Sequence, residues 1–218
     1  MIALLLMVLW QAPGDGAPRV VRERTEWLDV WVPDNDISDK PRVLLIGDSI
    51  TRGYGPLVEA KLKGRALVAR LATSKSLGDP ALLLEVRLVL EQTKFDVVHF
   101  NNGMHGWGYT EDENAGAFPA ILELIKSKAP KAELIWALTT PVRKRDDASH
   151  LDPKTDRVRE RNARLAKLIE GKGVATNDLF AATIDHPEFF SADGIHFAPA
   201  GNTALADQVV RAIERVLP

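Results

Sequence analysis

From Arg42 onward, short apolar runs rich in β-branched residues alternate with longer stretches of helical periodicity. This alternation is typical of a parallel sheet that carries helices on both faces. The apolar runs predict five strands, at residues 43–46, 66–69, 97–101, 133–138 and 174–177. The remaining stretches predict five helices, at residues 56–63, 80–92, 111–128, 155–171 and 199–216. We therefore expect an α/β fold with a five-stranded parallel sheet.

The fourth predicted helix carries basic residues beside an apolar stripe. Its stripe contains Val158, Leu165 and Leu168, and its basic residues are Arg157, Arg159, Arg161, Arg164 and Lys167. A basic binding face and a solvated outer face both fit this pattern. Because the chain is close to charge balance, with a formal net charge of -2, we favour the solvated outer face.

Composition narrows the classes of protein that fit. At 218 residues, with 45% hydrophobic and 27% charged side chains, the chain resembles a globular protein with one sizeable core. The slightly negative net charge argues against nucleic acid and against an anionic membrane as partner. The sequence has no cysteine, which excludes disulfides, a thiolate nucleophile and zinc–thiolate sites.

The first 18 residues form an apolar leader, and we expect a single domain over residues 19–218. The apolar run at 2–10 is too short to span a bilayer, so we expect no stable membrane insertion. Its length fits a signal-peptide core, although no basic residue precedes it. A signal peptide would place the protein outside the cell or in the periplasm, and a disordered N-terminus would leave it in the cytoplasm.

The first predicted strand, at 43–46, ends in Gly47-Asp48-Ser49. Ser49 therefore lies on the turn at the carboxyl edge of a parallel sheet, where ligands of α/β proteins bind. A serine hydroxyl is unreactive at neutral pH and becomes a nucleophile only beside a general base that a third group orients. We expect the neighbouring Asp48 to brace this turn by hydrogen bonds rather than to transfer protons.

A base and an orienting group occur together near the end of the chain, as Asp193 and His196. A tight turn, eased by Gly194, can place the carboxylate against Nδ1 of the imidazole and leave Nε2 facing Ser49. In the alternative interpretation, Asp193 caps a turn and His196 merely precedes the last helix. We favour the catalytic interpretation because a strand-end serine accompanies the pair.

Two blocks, Gly47-Asp48-Ser49-Ile50-Thr51 and Asp193-Gly194-Ile195-His196, resemble those of the SGNH hydrolase family, also called GDSL esterases. The resemblance extends from about residue 42 to residue 217. It implies a flavodoxin-like three-layer α/β/α fold and hydrolysis of acyl esters by a Ser-His-Asp triad, without a cofactor. By analogy with members that act on acetylated polysaccharides, we expect short-chain or carbohydrate O-acetyl esters as substrates.

The same resemblance implies an oxyanion hole built from the Ser49 amide, a glycine amide and an asparagine side chain. Gly78 fits the glycine, because it follows the second strand and precedes a helix that Asp79 can cap and Pro80 can begin. A simple turn glycine is the alternative.

The asparagine is where this sequence departs from the family. The usual block is Gly-x-Asn-Asp, and the ungapped match is Gly103-Met104-His105-Gly106, with His105 at the asparagine position. An imidazole N–H can donate one hydrogen bond to an oxyanion. Asn102 is a competing donor, and both alternatives stay open, with His105 favoured by the alignment.

Three further side chains are candidates for substrate contacts. Trp107 and Tyr109 follow the third strand and could form an aromatic wall, or could simply pack. Arg143 could bind a carboxylate or a sugar hydroxyl, or could form a surface ion pair. The charged stretch at 143–153 is predicted to be irregular, as a substrate-facing lid or a plain surface loop.

Other functional classes fit less well. The sequence lacks the Gly-x-Ser-x-Gly elbow of α/β-hydrolases and the glycine fingerprint of dinucleotide-binding proteins. A metal site could draw on Asp48, His105, Asp193 and His196, but no helical histidine pair accompanies them, so we predict no metal. A noncatalytic carbohydrate- or acyl-binding module is the main alternative. We expect a small-molecule or glycan ester as partner, and the sequence predicts no oligomeric state.

Overall fold

The computed structural model describes residues 19–36 and 39–218, so the predicted leader lies outside the described residues. The described strands and helices follow one another as β1 (Leu28–Trp31), β2 (Arg42–Gly47), α1 (Ser49–Leu62), β3 (Leu67–Thr73), α2 (Pro80–Gln92), β4 (Val97–Asn101), α3 (Glu111–Lys128), β5 (Glu133–Ala137), β6 (Arg143–Lys144), β7 (Asp147–Leu151), α4 (Lys154–Ile169), β8 (Val174–Asn177), a 3₁₀ turn (Pro187–Phe189) and α5 (Pro199–Glu214).

The main sheet has the strand order β1-β3-β2-β4-β5-β8. Its last five strands in this order run parallel, which confirms the predicted parallel sheet. A sixth strand, β1, pairs antiparallel with β3 at one edge and was not predicted. Leu28, Val30 and Trp31 of β1 are all exposed, so this strand lacks the alternating burial that identifies a strand from sequence.

Alternating side chains of the central strand β2 divide the core into two apolar layers. Leu44 and Ile46 point into a cluster with side chains of α2, α3 and α4. Val43 and Leu45 point to the opposite face, where α1 and α5 pack. Because both faces of the parallel sheet are covered, the strand reads as a continuous apolar run. The three-layer α/β/α arrangement is thus confirmed.

Helix α1 begins earlier than predicted. We expected it to start at Pro56, but it begins at Ser49 and contains Pro56 in its interior. Asp48 provides the N-cap, since its Oδ1 accepts a hydrogen bond of 2.9 Å from the Ile50 amide. The predicted start at Pro56 was wrong, because the residue that caps the helix, Asp48, lies eight residues earlier.

The stretch at 143–153 was predicted to be irregular, and this prediction was wrong. The stretch contains the antiparallel hairpin of β6 and β7. Its turn includes Asp146 with φ of 59°, a left-handed conformation that aspartate tolerates better than most residues. The hairpin backs the loop that carries the Asp193 block, because the Arg143 amide donates to Gly194 and the Asp146 amide to Ala192, each at 2.7 Å. None of the described helices is long and apolar enough to cross a membrane.

Candidate active site

Ser49 is the first residue of α1 and directly follows the turn at the carboxyl end of β2. This turn is too tight for a side chain at Gly47. A Cβ there would lie 2.0 Å from Oγ1 and 2.7 Å from Cβ of Thr51. The apolar strand and the Asp48 cap therefore fix the position of the serine, and glycine is the residue that lets helix and strand approach so closely.

The structure brings Ser49 together with both residues of the distant block. Nε2 of His196 lies 2.8 Å from Oγ of Ser49. Nδ1 of the same ring lies 2.5 Å from Oδ2 of Asp193. The other carboxylate oxygen, Oδ1, accepts hydrogen bonds of 2.9 Å from the amides of Ile195 and His196. The arrangement has the geometry of a nucleophile, a base and a group that orients the base.

A left-handed glycine makes this loop conformation accessible. Gly194 has φ of +72°, and a Cβ at this position would lie 2.1 Å from the carbonyl oxygen of Arg143. Without a side chain at 194, the chain can turn sharply enough for Asp193 to reach back to His196.

Electrostatics keep the Asp193 carboxylate ionised. Partial burial acts to raise its pKa, but hydrogen bonds from the His196 ring and from the Ile195 and His196 amides outweigh burial and lower the pKa to about 2. The neighbouring Asp48 is different, because its complete burial raises the pKa of its carboxyl. Asp193 therefore carries the negative charge beside Nδ1 of the imidazole over the whole neutral range.

Asn102, one of the two predicted side-chain donors to an oxyanion, is buried and hydrogen-bonded to the loop between β3 and α2. Its Oδ1 accepts from the Leu77 amide at 2.8 Å, and its Nδ2 donates to the Lys75 carbonyl at 2.9 Å. Gly78 follows directly in this loop, and Asp79 caps α2 as predicted, accepting from Ala81. Asn102 thus braces the segment that carries Gly78.

His105, the other predicted donor, has one nitrogen without a partner. Its Nδ1 lies 3.3 Å from Oε1 of Glu23. Its Nε2 is buried and has no hydrogen-bond partner among the residues that the structure describes. Of the two candidates, His105 is the one that has a ring nitrogen left over.

A segment near the N-terminus, residues 21–27, contacts the loop between β3 and α2 and the loop between β4 and α3. Sequence reasoning did not predict it. The Val21 amide donates to the Tyr109 hydroxyl at 2.8 Å, and the Trp27 amide donates to Oγ of Ser74 at 3.0 Å. The Trp27 ring also contacts the guanidinium of Arg52, one turn beyond the serine, at 4.8 Å. The segment is polar and carries no motif, so no sequence signal marked it.

The two aromatic candidates lie in the loop between β4 and α3. Tyr109 is buried, and its ring would be only 3.2 Å from a Cβ added at Gly78. Trp107 is half-buried, and the Arg161 guanidinium lies 4.7 Å from its ring centre. Both rings therefore pack against neighbouring residues, Tyr109 beside Gly78 and Trp107 beside Arg161. Whether either ring also touches a substrate stays a prediction.

Arg143 is not the surface residue that the ion-pair interpretation expected. The residue is buried, and its guanidinium donates to the carbonyls of Ala148, at 2.6 Å, and of Ile184. The same guanidinium lies 5.1 Å from the ring centre of Phe190. These contacts support a role in bracing the segment that leads into the loop at 191–196, and whether Arg143 also touches a substrate stays a prediction.

The basic residues of α4 do not all face solvent, as the sequence had predicted they would. Arg159 and Arg164 form exposed ion pairs, as a solvated face predicts. Arg161, in contrast, is only 1% exposed and pairs with Glu111. The interpretation of the whole run as a solvated face was therefore wrong for Arg161, because charge balance over the chain says nothing about a local buried partner.

Within residues 19–36 and 39–218, no group of three or more His, Asp or Glu side chains is arranged to hold a metal ion. The Asp48, His105, Asp193 and His196 side chains thus do not form a metal-binding cluster.

Solved structures of similar fold come from bacteria and fungi. A carbohydrate esterase family 3 protein from Talaromyces cellulolyticus has 17% identity and a TM-score of 0.64. The matched region covers 80% of this chain and 97% of that protein's chain. An acetylxylan esterase from Geobacillus stearothermophilus has 18% identity and a TM-score of 0.63, covering 79% and 94%. A GDSL-like lipase from Bacteroides thetaiotaomicron has 17% identity and a TM-score of 0.61, covering 81% and 89%.

At these identities, the likeness to solved structures shows the fold alone. No curated protein matches the sequence significantly. The family profile goes further, since it matches residues 45–204 and so includes both Ser49 and His196. The chain belongs to the GDSL-like Lipase/Acylhydrolase family.

Proposed function

We propose that the protein is a serine esterase that hydrolyses carboxylic acyl esters. The observation that carries the proposal is the pair of contacts made by the His196 ring, 2.8 Å to Oγ of Ser49 and 2.5 Å to Oδ2 of Asp193. A noncatalytic binding module of the same fold would have no need for an ionised carboxylate, an imidazole and a hydroxyl in series.

In the proposed reaction, Oγ of Ser49 attacks the ester carbonyl while Nε2 of His196 takes the hydroxyl proton. Asp193 holds the Nδ1–H and stabilises the imidazolium that forms. The imidazolium then protonates the leaving alcohol, which departs and leaves an acyl-serine. Water attacks the acyl group in a second cycle of the same steps, and the carboxylic acid and free Ser49 are regenerated.

The negative charge on the tetrahedral intermediate requires hydrogen-bond donors. We assign this role to the amides of Ser49 and Gly78 and to the side chain of His105, each worth about 3 kcal/mol in the transition state. Asn102 is the weaker candidate, because its oxygen accepts from Leu77 and one of its two amide hydrogens is already used in the bond to Lys75.

The His105 ring has two nitrogens, and the hydrogen of the neutral ring can lie on either of them. A neutral ring that donates from Nδ1 to Glu23 has no hydrogen on Nε2 and could not serve an oxyanion. A neutral ring with the hydrogen on Nε2 could donate to the oxyanion but not to Glu23. A ring that carries both hydrogens would donate to both, so the role of His105 depends on its protonation state.

We further propose short-chain or carbohydrate O-acetyl esters as substrates. Support comes from two structural neighbours, a carbohydrate esterase family 3 protein and an acetylxylan esterase. This support is analogy of fold.

The test is hydrolysis of esters of increasing acyl length and of acetylated xylan and acetylated monosaccharides by the purified protein. We expect acetyl esters to give the highest kcat/KM and Ser49→Ala to remove all of it. A preference for long acyl chains would contradict the substrate assignment, and unchanged hydrolysis by Ser49→Ala would contradict the triad. Binding of acetylated glycans with no turnover of any ester would favour the noncatalytic alternative.

A further inference from the structure

Arg161 reaches from α4 into the loop at 102–110, which connects β4 to α3 and carries His105. Its side chain is fully buried, and Nε donates to Oε2 of Glu111 at 2.5 Å. Nη1 donates to the carbonyls of Gly103, at 2.8 Å, and of His105, at 3.0 Å. Nη2 donates to the Gly106 carbonyl at 3.2 Å. One guanidinium therefore binds three carbonyls and a carboxylate at once.

Arg157, one helical turn earlier on α4, binds the second half of the loop. Its Nε donates to Oε1 of Glu111 at 2.6 Å. Its Nη1 donates to the Trp107 carbonyl at 2.9 Å, and its Nη2 to the Tyr109 carbonyl at 2.8 Å. Glu111 is buried at the start of α3 and accepts from both guanidinium groups. We call Arg161, Arg157 and Glu111 the loop clamp.

The loop clamp sets the direction of the peptide groups in the loop. In a trans peptide, the C=O and the following N–H point in opposite directions. The Gly103 carbonyl faces Arg161, so the Met104 amide that follows it points away from α4. The His105 carbonyl likewise faces the arginine. The carbonyl edge of the loop is therefore turned to α4.

We infer that Arg161 and Arg157, joined by Glu111, are positioning residues for ester hydrolysis, because they hold the loop that carries His105, the side chain assigned to the oxyanion. The inference rests on the proposed function and adds to it three residues outside the two sequence blocks that identify the family.

Lysine cannot replace these contacts. A guanidinium offers five N–H donors in a planar fork, whereas an ammonium is a single charged point at the end of a flexible chain. Arg161→Lys therefore keeps the positive charge beside Glu111 but cannot bind three carbonyls together. Because catalysis is sensitive to displacements of about 1 Å in the groups that act on the substrate, the loss should appear in kcat more than in KM.

The experiment compares Arg161→Lys and Arg157→Lys with Arg164→Lys, a control on the same helix whose partners, Asp112 and Glu160, are exposed. Thermal melting shows which variants are folded, and the partly exposed Arg157 serves if Arg161→Lys does not fold. With 4-nitrophenyl acetate, we expect the clamp variants to lose about 100-fold in kcat, with KM changed by less than about threefold. The control should keep both parameters. Equal kcat in folded clamp variants and control would overturn the inference.

A double-mutant cycle with His105→Ala separates positioning from a general loss of structure. If the clamp acts through His105, adding Arg161→Lys or Arg157→Lys to His105→Ala should lower kcat by less than about threefold further. Full additivity of the two losses would overturn the inference, as would an unchanged kcat in His105→Ala alone. The proposed function fails differently, since it is lost if Ser49→Ala retains hydrolysis or if the unchanged protein hydrolyses no ester.

Discussion

The imidazole nitrogen Nε2 of His196 lies 2.8 Å from the hydroxyl oxygen of Ser49, although 147 residues separate the two along the chain. The contact follows from the fold. Helices α1 and α5 share one apolar cluster, which contains Tyr54 of α1 and Leu205 and Val209 of α5. Their starts therefore lie together, with Ser49 at the start of α1 and the His196 loop just before α5.

Asp193→Asn should lower kcat by about 10³- to 10⁴-fold at neutral pH. An asparagine side chain can donate to Nδ1 instead of accepting from it, which favours the tautomer that cannot take the serine proton. Its Oδ1 can still accept from the Ile195 and His196 amides, so the loop should keep its shape. Steady-state kinetics and circular dichroism test the prediction, and a loss of less than about tenfold would contradict it.

The same carboxylate predicts a pH dependence of stability. The pKa of Asp193 is about 2 in the folded protein, below its ordinary value of 3.8. A carboxyl whose pKa falls on folding stabilises the folded state above its unfolded pKa, and this contribution is lost as the pH falls through the folded pKa. The free energy of unfolding of the protein relative to Asp193→Asn should therefore decrease between about pH 4 and about pH 2, by at most about 2 kcal/mol.

Urea unfolding at a series of pH values measures this difference. Asp156→Asn, which removes an exposed carboxylate paired with Arg159 on α4, is the matched control and should show little such change. A difference between the protein and Asp193→Asn that is constant from pH 6 to the acid limit would contradict the lowered pKa.

His105→Ala should lower kcat by about 10²- to 10³-fold, because an oxyanion donor acts mainly in the transition state. His105→Asn places the amide of the family block at this position and should recover part of the loss. Initial rates on one acetyl ester across pH compare the three proteins. If both variants match the unchanged protein, His105 is not the donor.

Asn102→Ala should act mainly on stability. It leaves the buried Leu77 amide and Lys75 carbonyl without their partners, at a cost of about 1–3 kcal/mol per group. Chemical denaturation measures the change. A folded Asn102→Ala with a larger loss of kcat than His105→Ala would reverse the assignment of the oxyanion donor.

Gly47→Ala should destabilise the protein by about 1–3 kcal/mol or more and lower activity, because its Cβ would lie 2.0 Å from Oγ1 of Thr51. Gly116→Ala in α3 is the matched control, since a Cβ there meets nothing within 4 Å. Alanine is the better helix former, so the control should be neutral or stabilised by up to about 1 kcal/mol. Equal melting temperatures for the two variants would contradict the steric argument.

The parallel sheet, the strand-end position of Ser49 and the contact within the Asp193 block could be predicted because their signals are local. An apolar run of strand length marks β2, and the turn that follows it contains the serine. The Asp193 and His196 side chains are three residues apart, so a single turn determines their contact.

The surroundings of the site depend on contacts between distant residues and gave no local signal. Arg161 resembles its exposed neighbours in sequence, yet it is buried because Glu111, 50 residues away, accepts from it. Glu23 approaches His105 across 82 residues, from a polar segment without a recognisable pattern. Pairings of this kind follow from the tertiary fold and not from periodicity or propensity.

The central claim is that Ser49 is the nucleophile, and covalent labelling tests it most directly. The protein is incubated with a fluorophosphonate, a reagent that phosphonylates activated serines, and the adduct is located by peptide mass spectrometry. We predict one adduct per chain, on Ser49, that is absent in Ser49→Ala and strongly slowed in His196→Ala. An adduct on another serine, or ester hydrolysis that persists in a protein fully labelled at Ser49, would contradict the account.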